Sequence, residues 1–205
     1  MTGILTDKNE VKRNFRIECF EEKCFNAWEY DLRMGNEYYI ASNELPNKLE
    51  ENEMLVISPG EFALLITEEY LNLELDVMAF ITIRFGLKKK GLINVSGFHV
   101  DPGYEGNLMF SVFNAGPNDI VIRRKEPIFM IFFQRLPQEI EKKTRSPIEF
   151  VSSNDVESIK GKSITLTKNA DRLEKLEFHF KVITWLVALL TTGAIGAIVK
   201  KLFFE

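Results

Sequence analysis

Residues 97–114, GFHVDPGYEGNLMFSVFN, set a sharp reversal and then an extended segment. In Asp101-Pro102-Gly103 the proline ring fixes φ and the glycine accepts φ > 0, which is turn chemistry. Gly106 then opens an apolar run over residues 108–113 that is rich in strand formers. The same alternation recurs on both sides. Short apolar runs fall at 37–41, 54–57, 62–67, 77–84, 120–122 and 128–133. They are separated by Gly35-Asn36, Pro46-Asn47, Pro59-Gly60 and Gly116-Pro117-Asn118. Many short strands at this spacing predict a mostly β domain, a β-barrel or a sandwich. The 17 phenylalanines suit a β-rich core better than a helical one.

Composition divides the chain into three parts. Residues 1–137 form the β domain, 138–163 are polar and charged and read as a linker or edge extension, and 164–205 read as helix. Within the last part, residues 182–199 (VITWLVALLTTGAIGAIV) carry no charge over 18 positions. As a helix they span about 27 Å, against a hydrocarbon core of roughly 30 Å. Trp185 suits an interfacial anchor, while Lys181 and Lys200-Lys201 can snorkel outward. We therefore expect a transmembrane helix acting as a C-terminal tail anchor. A buried or oligomer-facing helix is the alternative. No signal peptide is visible at the N-terminus, which places the main domain in the cytoplasm, at the membrane.

A net charge of −4 argues against a nucleic-acid binder. The local basic runs Lys88-Lys89-Lys90 and Arg123-Arg124-Lys125 read as solvated strand ends or loops. Cys19 and Cys24 are too few for a disulfide framework, and with only His99 and His179 they offer no zinc site.

Five segments, in order, resemble the dCTP deaminase and dUTPase superfamily. ILTDKNEV at 4–11 is similar to the start of dCTP deaminases, and EYDLRMGNEYYI at 29–40 to their "SYDLRLGNEF" segment. IRFGLKKKGL at 83–92 resembles "GRSSLARLGL", and residues 97–114 resemble the "IDPG(F/Y/W)xG" turn and the strand after it. VIRRKEPIFMIFFQRL at 121–136 is similar to the strand pair containing "IaQLvF". The resemblance implies a dUTPase-like β-barrel or jelly-roll domain. It also implies a homotrimer with nucleotide sites at subunit boundaries.

The family's chemistry carries over unevenly. Its deaminases use a Glu ten residues after the turn aspartate to move a proton between the attacking water and the leaving ammonia, without zinc. That position is Ser111, whose hydroxyl is far too weak a base. Arg84 of the phosphate segment is retained, but Phe85 and Gly86 stand where serines contact phosphate. Lys89 matches a supporting Arg, keeping the charge without the bidentate fork. Met130 replaces a Gln that contacts nucleotide, and no glycine-rich closing arm is recognisable. Asp31 matches a structural Asp of the first motif. Asp101 matches the aspartate that activates water in dUTPases, and Tyr104 the aromatic beneath the deoxyribose. Asp101 is also explained by turn formation, and Tyr104 by a place on the barrel rim.

The expectation is thus a membrane-anchored, catalytically silent, trimeric dCTP deaminase-like domain. It would sense a nucleotide through Arg84, Lys89, Asp101 and Tyr104, or act as a scaffold, with no cofactor. One alternative is an active dCTP deaminase, or a dUTP pyrophosphatase that uses Asp101 and Mg²⁺. Another is a purely structural protein-interaction module.

Overall fold

A computed structural model describes residues 2–141, 147–159 and 166–204. The chain forms two compact units, Met1–Ser163 and Ile164–Glu205. The first unit opens with β1 (Gly3–Ile4), α1 (Lys8–Lys12), β2 (Phe25–Asn26) and β3 (Glu29–Ile40). It continues with β4 (Asn47–Lys48), β5 (Met54–Ile57), β6 (Phe62–Asn72), β7 (Val77–Ile83) and α2 (Phe85–Lys88). Then come β8 (Leu92–Asn94), β9 (His99–Val100), β10 (Glu105–Asn114), β11 (Ile120–Arg123), β12 (Pro127–Arg135) and α3 (Ser153–Ile159). The domain is mostly β, and every apolar run expected as a strand coincides with one, 37–41 and 77–84 each overrunning it by a residue.

The main sheet runs β8-β10-β6-β3-β12-β7-β9, all antiparallel. Its curl centres on β3. Tyr30–Arg33 pairs with β12, and Met34–Ile40 pairs with β6. Strand β3 thereby belongs to two faces and folds the sheet around one core. Strands β5 and β11 make a separate ribbon whose inner residues Leu55, Ile57, Ile120 and Ile122 close that core. Alternation is clean where one face is buried: β7 and β10 bury every second residue. Phe110 and Phe129 stack at 3.6 Å in the middle.

Residues 147–159 form a strap across the outer face of β6 and β10. Val151 and Val156 are buried there with Tyr39 and Leu64, and Met109 packs against them. Ile148 bridges Gly106, and Val151 N donates to Glu37 Oε2 at 3.1 Å. The rest of the region expected as a linker, 142–146 and 160–163, lies outside the described residues.

The second unit is one helix, α4 (Leu166–Phe204). The side chains described on it, residues 172–193, are all exposed within the single chain, Trp185 and Leu190 among them. Among the described residues no helix is long and apolar enough to cross a membrane. The span expected at 182–199 runs past Gly193, where side chains lie outside the described set.

Candidate functional site

The turn between β9 and β10 is held from below. Gly103 takes φ +69°, Tyr104 N donates to Asp101 O at 3.2 Å, and Leu73 N donates to Tyr104 O at 2.9 Å. Tyr104 is half-buried against the core and its hydroxyl donates to Asn107 O. Burial pushes the Tyr104 pKa up to about 12, so it is a neutral donor. Asn107 in turn donates to the carbonyls of Thr67 and Glu69, tying the turn to a bulge in the β6–β10 pairing. Asp101 faces His99, whose Nε2 lies 3.5 Å from Asp101 Oδ1.

A second cluster gathers where β7 ends. Arg84 N donates to Ile128 O at 3.1 Å, and Arg84 lies 3.2 Å from the Asp31 carboxylate. Burial raises the Asp31 pKa and the Arg84 charge opposes that rise. Met130 is directly opposite both Asp31 and Thr82. Phe85 projects into solvent, 76% exposed, and offers a phosphate no hydroxyl. Lys89 is exposed on the short turn of α2. The basic runs do not converge. Lys88 donates to Thr82, Arg124 pairs with Glu68 at 3.0 Å, and Lys125 pairs with Glu51 at 3.2 Å.

Strand register keeps these two clusters apart. Ala79 is opposite Val100 and Phe80 opposite His99, which puts Asp101 beside Met78. Arg84 is six residues further along β7. At about 3.3 Å per residue the separation is roughly 20 Å. One chain therefore does not unite Arg84 and Lys89 with Asp101 and Tyr104. Between the clusters lies an aromatic row, Trp28, Phe132, Phe80 and Phe98, with neighbouring ring centroids 5.4–6.3 Å apart. Trp28 is 45% and Phe98 64% exposed.

Ser111 lies on the outer face of β10, directly opposite Leu64 and on the same face as Asn107, Met109 and Phe113. The carboxylate of β10, Glu105, lies six residues away at the start of the strand, where Tyr70 hydroxyl donates to it at 3.4 Å. The backbone oxygen of Ser111 accepts from Val95 N at 2.8 Å, which fixes the strand there.

The dCTP deaminase-like family model matches residues 5–136. The chain belongs to this family. The dCTP deaminase of Pyrococcus abyssi is 33% identical over 127 residues, covering 62% of this chain and 80% of the relative. That of Thermococcus sibiricus is 33% identical over 135 residues, covering 66% and 84%. The solved 2'-deoxycytidine 5'-triphosphate deaminase of Agrobacterium tumefaciens superposes with a TM-score of 0.54 at 18% identity. The match covers 65% of this chain and 49% of that one, so it is a likeness of fold over about half the solved chain.

Within this family member, the structure adds partners that sequence reading missed. Asp31 beside Arg84 comes from strand pairing, with β12 lying between β3 and β7, while His99 and Asp101 meet because they are two residues apart on one extended segment. Asn107 was legible only as part of a motif, and its amide proves to be the anchor of the turn. Among the described residues no three metal-ligating side chains come together.

Proposed function

We propose that this dCTP deaminase-like chain is a catalytically inactive nucleotide-binding module that works as a trimer and is tethered to a membrane by α4. Ser111 carries the first part of this reading. Deamination needs a group that can take a proton from water at neutral pH, and position 111 offers a hydroxyl whose neighbours on that face, Met109 and Phe113, are apolar. Oligomeric action is supported by the roughly 20 Å between the Arg84 and Asp101 clusters. A ligand needing both must lie where one copy meets the next. Membrane tethering is supported by the nine consecutive apolar or weakly polar residues VITWLVALL, exposed on every side of α4, together with the uncharged sequence that follows.

A second reading has its own observation. His99 lies within 3.5 Å of Asp101, an arrangement that could orient the carboxylate toward a water, as a dUTP pyrophosphatase requires. Incubating the purified chain with dCTP or dUTP and Mg²⁺, then separating the products, decides between the two. Silence toward both, with heat released on nucleotide titration, supports the module. Formation of dUMP that is lost in Asp101→Ala establishes the hydrolase instead. Formation of dUTP from dCTP would refute the role given to Ser111. Alkaline carbonate extraction of cell membranes tests the tether, and release of the chain into the soluble fraction would remove it.

A further inference from the structure

A cleft of about 550 Å³ lies where α1, the residues after it and the end of β6 meet, and it uses none of the candidate-site residues. Lys12, Arg13 and Arg16 line it with the amides of Asn9 and Asn72, and Glu18 is its one lining carboxylate. In a chain of net charge −4, three cations around one concavity call for a reason.

The walls are rigid. Val11 and Phe15 are 1% and 3% exposed, and Phe15 bridges Leu71. Arg16 N donates to Tyr70 O and Asn72 N donates to Asn14 O, both at 2.9 Å. The backbone that presents the cations is thus an extra rung on β6. The Arg16 guanidinium carbon lies over the face of Tyr70, 3.6 Å from the ring centroid. Stacking fixes its plane and leaves the in-plane N–H donors for a ligand. Tyr70 hydroxyl, on the far edge of that ring, is occupied with Glu105.

Ion pairing singles out the same two residues. Lys8 and Lys12 share Glu22, while Glu21 takes Lys23 and Arg33. Among the described residues neither Arg13 nor Arg16 forms an ion pair. Two unneutralised forks and two amides around a fixed cleft match an acceptor with several oxygens at tetrahedral spacing. We propose that this cleft is a second ligand site that binds a phosphate group, either of a small soluble phosphate or of an anionic lipid headgroup.

Titration calorimetry on the full chain in detergent micelles tests it, with sodium pyrophosphate as one probe and dihexanoylphosphatidylglycerol as the other. Binding of pyrophosphate alone assigns a soluble phosphate, and binding of the lipid alone assigns a headgroup. In either case Arg13→Ala and Arg16→Ala each weaken binding about tenfold, the loss of one charge-assisted contact. Arg13→Glu, which leaves the Arg16–Tyr70 stack intact, abolishes it. Arg84→Ala, at the other site, leaves the Arg13-dependent part of the heat in place. The proposal fails if neither probe binds, if the Arg13 variants bind like the parent, or if Arg84→Ala removes the heat.

Discussion

Glu69 is the most consequential single residue outside the candidate site. It is fully buried, takes Arg33 Nε at 2.6 Å and Arg33 N at 2.8 Å, and receives the Tyr30 hydroxyl at 3.3 Å. Arg33 also reaches Cys19 O at 3.1 Å, so the pair pins the N-terminal segment to the sheet. Burial pushes the Glu69 pKa up to about 6, against the pull of Arg33. The folded state then holds a proton that the unfolded chain, titrating near 4.5, has already released. This group's contribution is fully present below about pH 4.5 and is lost as pH rises through about 6. Urea unfolding at stepped pH should show that slope in the parent and lose it in Glu69→Gln. Gln stands in for the protonated carboxyl, so the variant should not share the parent's loss of stability as pH rises through about 6. Equal slopes in parent and variant would assign the pH dependence to other carboxylates.

Among the elements, the strap at 147–159 depends on a glycine it does not contain. Gly106 has φ +136°, and a Cβ there would meet Ile148 N at 2.7 Å. Gly106→Ala should cost about 2 kcal/mol in strain and displace the strap. Hydrogen exchange should then accelerate at Asn107 N, which donates to Ile148 O at 2.7 Å. Unchanged exchange at Asn107 would mean the strap tolerates the methyl. None of this was legible in the sequence, where 138–163 shows only polar composition and two isolated valines give no periodicity. The strands were legible because one-sided burial imprints a period of two. The apolar run at 62–67 stops before Glu68-Glu69 in the sequence, but strand β6 does not. It continues to Asn72 because Ala63, Leu65, Thr67, Glu69 and Leu71 keep the inward alternation. Arg33 makes a carboxylate tolerable there, and no local signal announces a partner 36 residues away. Ser111 was legible through the family resemblance, which puts a Glu ten residues after the turn aspartate. The separation of Arg84 from Asp101 was not, because it follows from the register of β7 with β9.

At the scale of the whole molecule, that separation gives the proposed trimer a countable consequence. The row Trp28, Phe132, Phe80 and Phe98 lies between the two half-sites and is wide, aromatic and partly exposed, as a contact face between copies should be. Phe132→Glu should shift the chain toward monomer in light scattering and weaken nucleotide binding without touching either half-site. An unchanged mass would move the contact elsewhere. Mixing copies is the sharper measurement. Arg84→Ala and Asp101→Ala each damage one half of every boundary, so either trimer alone lacks intact sites. After unfolding and joint refolding in equal amounts, a boundary is intact when an unaltered Arg84 half meets an unaltered Asp101 half from the neighbour. In a closed ring that occurs at about one quarter of boundaries. Calorimetric stoichiometry should therefore recover to roughly a quarter of the parent value, with parent affinity. If each chain instead supplied both halves of its own site, mixing would restore nothing.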